Sequence, residues 1–223
     1  MGNIINVFDL EVRADSAKDL VREIANNLED ERIYTVNFVT LEQLLQEKDD
    51  EDWKKQMQEM DLLIPGGKGV LEAEDGRYKP LEREIENHSF SKLLIRFLQK
   101  NKKTIYLISS NEEALAVFQE GLRIFGTNIR IVGQAVLQEN KENIINEING
   151  LEPDCIFSAL PSPLQENFIS ENKTLLNARV WIGSGTKILE VKRKKKIGNR
   201  IHSFILKRIF RYQLEKQSDG EEK

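Results

Sequence analysis

Five short segments of this chain set polar residues or glycines at the end of an apolar run. They are Val39-Thr40, Ile64-Pro65-Gly66-Gly67-Lys68-Gly69, Ile108-Ser109-Ser110-Asn111, Leu160-Pro161-Ser162-Pro163-Leu164-Gln165-Glu166 and Ile182-Gly183-Ser184-Gly185. Strand ends with polar and glycine-rich exits are where an open α/β sheet holds its ligand. Other chemistries fit less well. Pro65 to Gly69 is not a P-loop, because the spacing is wrong and no Lys-Ser/Thr pair closes it. Taken by itself it reads as a tight turn, with a ligand loop as the alternative. Asp49-Asp50-Glu51-Asp52 contains an Asp-x-Asp, but it lies between helices and precedes Trp53, so it reads as a solvated helix start. His88 and His202 are far apart, and Cys155, the one cysteine, sits inside an apolar run. No zinc site is implied, and Cys155 reads as a core residue.

The elements that must position these segments alternate along the chain. Strands are expected at Ile4 to Phe8 (pairing with Leu10 to Arg13), Ile33 to Val39, Asp61 to Ile64, Thr104 to Ser109, Ile129 to Val132, Cys155 to Leu160 and Val180 to Ile182. Ser16 is a plausible N-cap for a helix that carries Leu20, Val21, Ile24 and Leu28 on one face. Thr40 with Gln43 forms a capping-box pattern, so a helix begins at Leu41. Further helices are expected at Trp53 to Met60, Ser89 to Lys100, after Asn111 through Phe125, Asn140 to Asn149 and from Leu164. Residues 72–88 are charged, contain Gly76 and Pro80, and read as a mobile excursion. The fold class is therefore α/β, a Rossmann-like parallel sheet with helices on both faces and a basic amphipathic C-terminal helical appendage. The right-handed crossover rule gathers all five exits on one edge of that sheet.

Charge divides the chain. The net charge is −4, yet residues 187–211 hold ten Lys or Arg against Glu190, which is +9 and leaves −13 for the rest. Ile197, Ile201, Phe204, Ile205, Ile209 and Tyr212 recur at helical spacing among Arg200, Lys207, Arg208 and Arg211. A basic amphipathic helix of this kind reads as interfacial, against an anionic membrane surface. The alternative is a helix packed on its own domain with a charged rim. No nucleic-acid partner is expected, because no recognised nucleic-acid fold or aromatic stacking platform accompanies the charge. The expected organisation is a main domain over 1–190, the basic segment over 191–217 and a disordered tail over 218–223. With no N-terminal signal and no long apolar run, the expected location is cytoplasmic and peripheral at the inner face of the membrane.

Read together, the exits resemble the WecG/TagA/CpsF family of glycosyltransferases. The residues that carry the likeness are Ile5-Asn6-Val7, Val39-Thr40, Met60 to Val70, Ser162-Pro163-Leu164-Gln165-Glu166 and Ile182-Gly183-Ser184-Gly185, followed by the basic, aromatic C-terminal segment. The resemblance implies an inverting transfer of N-acetylmannosamine or a related sugar from a UDP-sugar. The acceptor would be a polyprenyl-diphosphate-linked sugar, in teichoic acid or surface polysaccharide synthesis, with no metal and no cofactor. It implies catalytic roles for Thr40 and Gln165. It implies substrate binding by Gly66, Gly67, Gly69, Ser109, Ser110, Pro163, Glu166, Gly183 and Gly185, and by Arg200, Arg208 and Arg211 near the diphosphate. Plainer readings stand beside these: Thr40 as only an N-cap, Gln165 as a surface amide, Glu166 as a helix-dipole partner. A homo-oligomer is allowed.

The chain also departs from the family pattern. Gly66 stands where the family's Pro-Asp-Gly carries its proposed base, and glycine cannot accept a proton. Ser109 to Glu113 replace a Gly-Gly-Lys-Pro-Gly loop, and Arg83-Glu84-Ile85-Glu86 replace Arg-Val-x-Gly. Thr186-Lys187-Ile188-Leu189 replace Ala-Phe-Asp-Phe. Either the base comes from elsewhere, with Glu72, Glu74 and Asp75 as candidates, or the fold persists as a nucleotide-sugar, lipid or partner-binding protein. An unrelated flavodoxin-like binding domain is the third reading.

Overall fold

The computed structural model describes residues 2–74, 78–137, 140–185 and 206–214, without the side chains of 72–74. The chain opens with a hairpin of β1 (Ile4–Val7) and β2 (Leu10–Arg13), paired antiparallel as expected. Its two-residue turn, Phe8-Asp9, holds both residues at positive φ, as the twist of a tight hairpin demands. Helix α1 (Ala17–Asn27) follows, capped by the Ser16 side chain, which accepts from the Asp19 N–H.

The main sheet has six strands, all parallel: β3 (Tyr34–Val39), β4 (Leu62–Pro65), β5 (Thr104–Ser109), β6 (Arg130–Val136), β7 (Cys155–Ala159) and β8 (Val180–Gly183). Their order is β4-β3-β8-β7-β5-β6. The Rossmann-like expectation therefore holds, and all the strand exits fall on one edge. Two Thr–Asp brackets fix register at the other edge. Asp61 accepts from the N–H and hydroxyl of Thr35, and Asp154 from the N–H and hydroxyl of Thr104. Burial works to raise the Asp154 pKa, but the Thr104 and Lys103 hydrogen bonds outweigh it and hold the carboxyl below its ordinary value.

Helices cover both faces. Leu20 and Ile24 of α1, Leu94 and Leu98 of α5 (Ser89–Lys100), and Phe118 and Leu122 of α6 (Glu112–Phe125) pack on Val36, Leu107, Phe157 and Ile182. On the other face Ile144 and Ile148 of α7 (Lys141–Leu151) and Phe168 of α8 (Leu164–Asn172) pack on Tyr106, Ile156 and Trp181. A third cluster joins the hairpin to α2 (Leu41–Glu47), α3 (Glu51–Gln58) and the β4 side of the sheet.

Three expectations change. The excursion expected over 72–88 is largely helical where it is described: a 3-10 helix covers Lys68–Glu74 and α4 covers Lys79–Glu86. Pro80 is compatible with α4 because it lies in the first turn, where its missing N–H costs nothing. Helix α3 begins at Glu51 rather than Trp53, since the Asp50 side chain accepts from the Asp52 and Trp53 N–H groups. The acidic run is thus a helix cap, in line with its solvated-start reading. Strand β6 continues past Val132 to Val136. As an edge strand it is only partly buried, so its middle carries no apolar run to read.

The C-terminal segment is described as a helix over 206–214. Phe210 is fully buried on it and meets Phe8 of the hairpin edge-to-face at 5.8 Å. Leu214 packs against the same cluster. Residues Arg208, Ile209, Arg211 and Tyr212 are exposed. One side of this helix is therefore docked on the chain's own fold. Replacing Phe210 by Ala should cost about 3 kcal/mol, within the range for emptying a core aromatic site. A urea unfolding midpoint unchanged from the parent would contradict the docking.

Candidate functional site

At the carboxyl edge, a buried polar network crosses the sheet from β3 to α8. Asn37 of β3 is 0% exposed, as are Gln165 and Glu166 in the first turn of α8. Gln165 Nε2 donates to Asn37 Oδ1 at 2.7 Å, and Asn37 Nδ2 donates to Glu166 Oε1 at 2.9 Å. The Gln165 carbonyl Oε1 accepts from the Gly185 N–H at 3.0 Å. One amide side chain thus ties α8 to β3 and to the loop leaving β8. Burial makes these bonds count, because an amide removed from water without partners costs roughly 1–3 kcal/mol.

The network needs glycine beneath it. Gly183 pairs in register with Asn37 on one side and Ser158 on the other. A Cβ at Gly183 would lie 1.8 Å from Asn37 Oδ1 and 2.8 Å from Gln165 Nε2. Gly185 has φ +53, in the left-handed region that favours glycine. Between them Ser184 donates both its N–H and its hydroxyl to the Ser158 carbonyl, at 3.0 and 2.8 Å. The Asp154–Gly185 stretch is also tied to α3, where Trp53 Nε1 donates to Ser162 Oγ at 3.0 Å. The Ser162–Pro163 peptide bond is cis.

Glu166 Oε2 is buried and makes no hydrogen bond among the described residues. Nearby, the Glu47 carboxyl is held above its ordinary pKa, by burial first and then by the negative charges of Asp50 and Glu166. No group of three His, Cys, Asp or Glu able to hold a metal ion occurs among the described residues.

Beside this network a cavity of about 210 Å³ opens at the β4 exit. Phe38, Ile64 and Phe90 give it apolar walls, and Pro65, Gly66, Gly67 and Ser184 bring in the exits of β4 and β8. Glu84 and His88 are the titratable residues in its lining, and no lysine or arginine lines it among the described residues. Glu84 Oε2 accepts from the Ala17 N–H at 2.7 Å, which fixes the carboxylate at the positive end of α1. His88 is exposed, with its ring 6.1 Å from that of Phe125.

The expected site residues divide by position. Gly66 and Gly67 line the cavity, and nothing lies within 4 Å of a Cβ built at Gly67. Thr40 caps α2: its Oγ1 accepts from the Gln43 N–H while its own N–H donates to Gln43 Oε1. Its methyl faces Gly66, 2.8 Å from where a Cβ would stand, with the Val39 carbonyl at 3.0 Å. A side chain at 66 therefore requires the β3 exit to shift. Gly69 packs over Leu41. Ser109 is fully buried, and its hydroxyl has no partner among the described residues. Ser110 accepts from Asn111 Nδ2, and Pro163 is exposed at the start of α8. Gln165 is an interior tie rather than a surface amide. Arg208 and Arg211 are exposed on the C-terminal helix, while Arg200, Asp75 and the side chains of Glu72 and Glu74 lie outside the described residues. Sequence reasoning missed Asn37, whose signal is a polar residue inside a buried strand. It gave Glu84 no role, although the Arg83-Glu84-Ile85-Glu86 segment stands out as a departure from the family pattern.

The strand order, the gathered exits and the cavity at the β4 exit define a Rossmann-like α/β protein with its pocket at the carboxyl ends of the strands. The chain belongs to the WecG/TagA/CpsF family of glycosyl transferases, whose model matches residues 5–191. It is similar to the N-acetylglucosaminyldiphosphoundecaprenol N-acetyl-beta-D-mannosaminyltransferase of Bacillus subtilis, at 26% identity over 137 residues, 61% of this chain and 54% of that protein. The protein of the same name from Bacillus spizizenii matches at 26% over 127 residues, 56% of this chain and 49% of its own length. The chain thus matches about half the length of these curated relatives.

The network makes a specific demand on Gly183. Gly183→Ala should destabilise the protein by about 1–3 kcal/mol, the usual cost of overpacking. Asn37→Ala in the same chain should recover part of that loss, because it removes the atom the new methyl meets. Additive losses in urea unfolding would show that the two sites do not touch.

Proposed function

We propose that this chain is a glycosyl transferase that moves N-acetylmannosamine, or a related sugar, from a UDP-sugar to a polyprenyl-diphosphate-linked sugar. The observation that carries the reading is the cavity at the β4 exit in a chain whose family match runs from 5 to 191. A cavity of about 210 Å³ with two aromatic walls, hydroxyls and a carboxylate suits one sugar or nucleobase ring. The names of the Bacillus relatives supply the sugar and the lipid-linked acceptor class.

In this reading the sugar is transferred with inversion and without a metal. The departing UDP gains negative charge, which N–H groups, helix N-termini or cations must stabilise. The cavity lining supplies no cation among the described residues. That task would fall to the basic segment, with Arg200, Arg208 and Arg211 as candidates. The same segment would hold the protein peripherally on an anionic membrane, and no helix among the described residues is long and apolar enough to cross one. Gly66 supports a second reading, in which the fold binds its ligands with little turnover.

Thermal denaturation with added UDP and UDP-N-acetylmannosamine tests the donor site. Ligand at 100 times its dissociation constant should add about 2.7 kcal/mol of stability. No shift with millimolar UDP or UDP-sugar would overturn the donor-site reading.

A further inference from the structure

We infer that Glu84 is the general base of the transfer, and this rests on the reading of the chain as a glycosyl transferase. Transfer of a sugar to a hydroxyl needs a group that removes the hydroxyl proton as the new bond forms. That group must reach the cavity. Gly66, at the β4 exit, has no side chain, and the crowding by Thr40 and Val39 leaves little room for one. Thr40 Oγ1 is committed to capping α2, and Gln165 is sealed in the interior with its amide nitrogen bonded to Asn37 and its amide oxygen to the Gly185 N–H.

Glu84 alone among the described lining residues is a carboxylate. It is partly buried, and it is held in place. Its Oε2 accepts from the Ala17 N–H at 2.7 Å, while Oε1 makes no hydrogen bond among the described residues. A carboxylate fixed through one oxygen and open through the other has the form of a positioned base. Its position comes from a contact between α4 and α1, elements whose residues are 67 apart in sequence. His88, the other titratable residue of the lining, is more exposed, and its ring lies tilted against that of Phe125.

The step balances as follows. Glu84 Oε1 takes the proton of the acceptor hydroxyl. The hydroxyl oxygen forms a bond to the anomeric carbon of the donor sugar. The bond from that carbon to the diphosphate oxygen breaks, and the nucleoside diphosphate leaves with the electron pair. The Glu84 carboxylic acid then returns its proton to water.

The test uses the full chain with UDP-N-acetylmannosamine and a short polyprenyl-diphosphate N-acetylglucosamine. Glu84→Gln keeps an oxygen for the Ala17 N–H but is not basic. It should lower kcat by about 10²–10⁴-fold, the usual contribution of a positioned base, with KM for the UDP-sugar unchanged. Added formate should restore part of the turnover of Glu84→Ala. A merely structural role would move the unfolding midpoint and KM, and formate would restore nothing. Parental kcat in Glu84→Gln overturns the assignment. So does a parent protein that binds UDP without any transfer, although that outcome leaves the donor site standing. Failure of the parent to bind UDP overturns both readings.

Discussion

The carboxyl edge of the sheet depends on an amide-to-amide hydrogen bond laid over a glycine. Asn37 and Gln165 meet at 2.7 Å above Gly183, in a space that even a methyl group would fill. Three elements then share one geometry. Strand β3 supplies Asn37, α8 supplies Gln165 and Glu166, and the β8 exit is held through the Gly185 N–H. Neutral hydrogen bonds contribute only about 1 kcal/mol each to stability. Their larger effect here is exclusive placement, because a buried amide that slips leaves polar atoms unpaired.

This constraint encloses the family-like motif. Gln165 and Glu166 sit where the likeness implies contact with a substrate, yet both are enclosed. They shape the edge from beneath it. The cavity lies on the α1, α4 and α5 side, where Phe38, Gly66, Gly67 and Ser184 meet Glu84. Ser184 is the link between the two, because it lines the cavity while Gly183 and Gly185 on either side of it carry the network. At Gly66 the wall is backbone alone. The carboxylate then stands on α4 rather than at the strand exit.

Much of this was legible in local patterns. The Thr40–Gln43 capping box, the Ser16 and Asn111 caps and the apolar strands required only neighbours in sequence to read. Parallel pairing followed from alternation, and the gathering of exits followed from the handedness of crossovers. What failed lacked a strong local signal. Helix α4 buries no residue fully, so its Leu81 and Ile85 gave a weak pattern among charges. The role of Gln165 depends on Asn37, 128 residues away. Arginines in the C-terminal helix suggested a membrane-facing segment, but charge could not reveal that Phe210 is docked on Phe8. Arg208 and Arg211 lie on the exposed side of that helix.

The central claim is that ligand binds at the edge organised by this network. Amide hydrogen–deuterium exchange on the full chain, with and without saturating UDP, tests it most directly. The account predicts slower exchange at residues 66–70 and 183–185, with little change around Thr35 and Thr104 at the opposite edge. Slowing confined to that opposite edge, with the 66–70 and 183–185 amides unaffected, would contradict it.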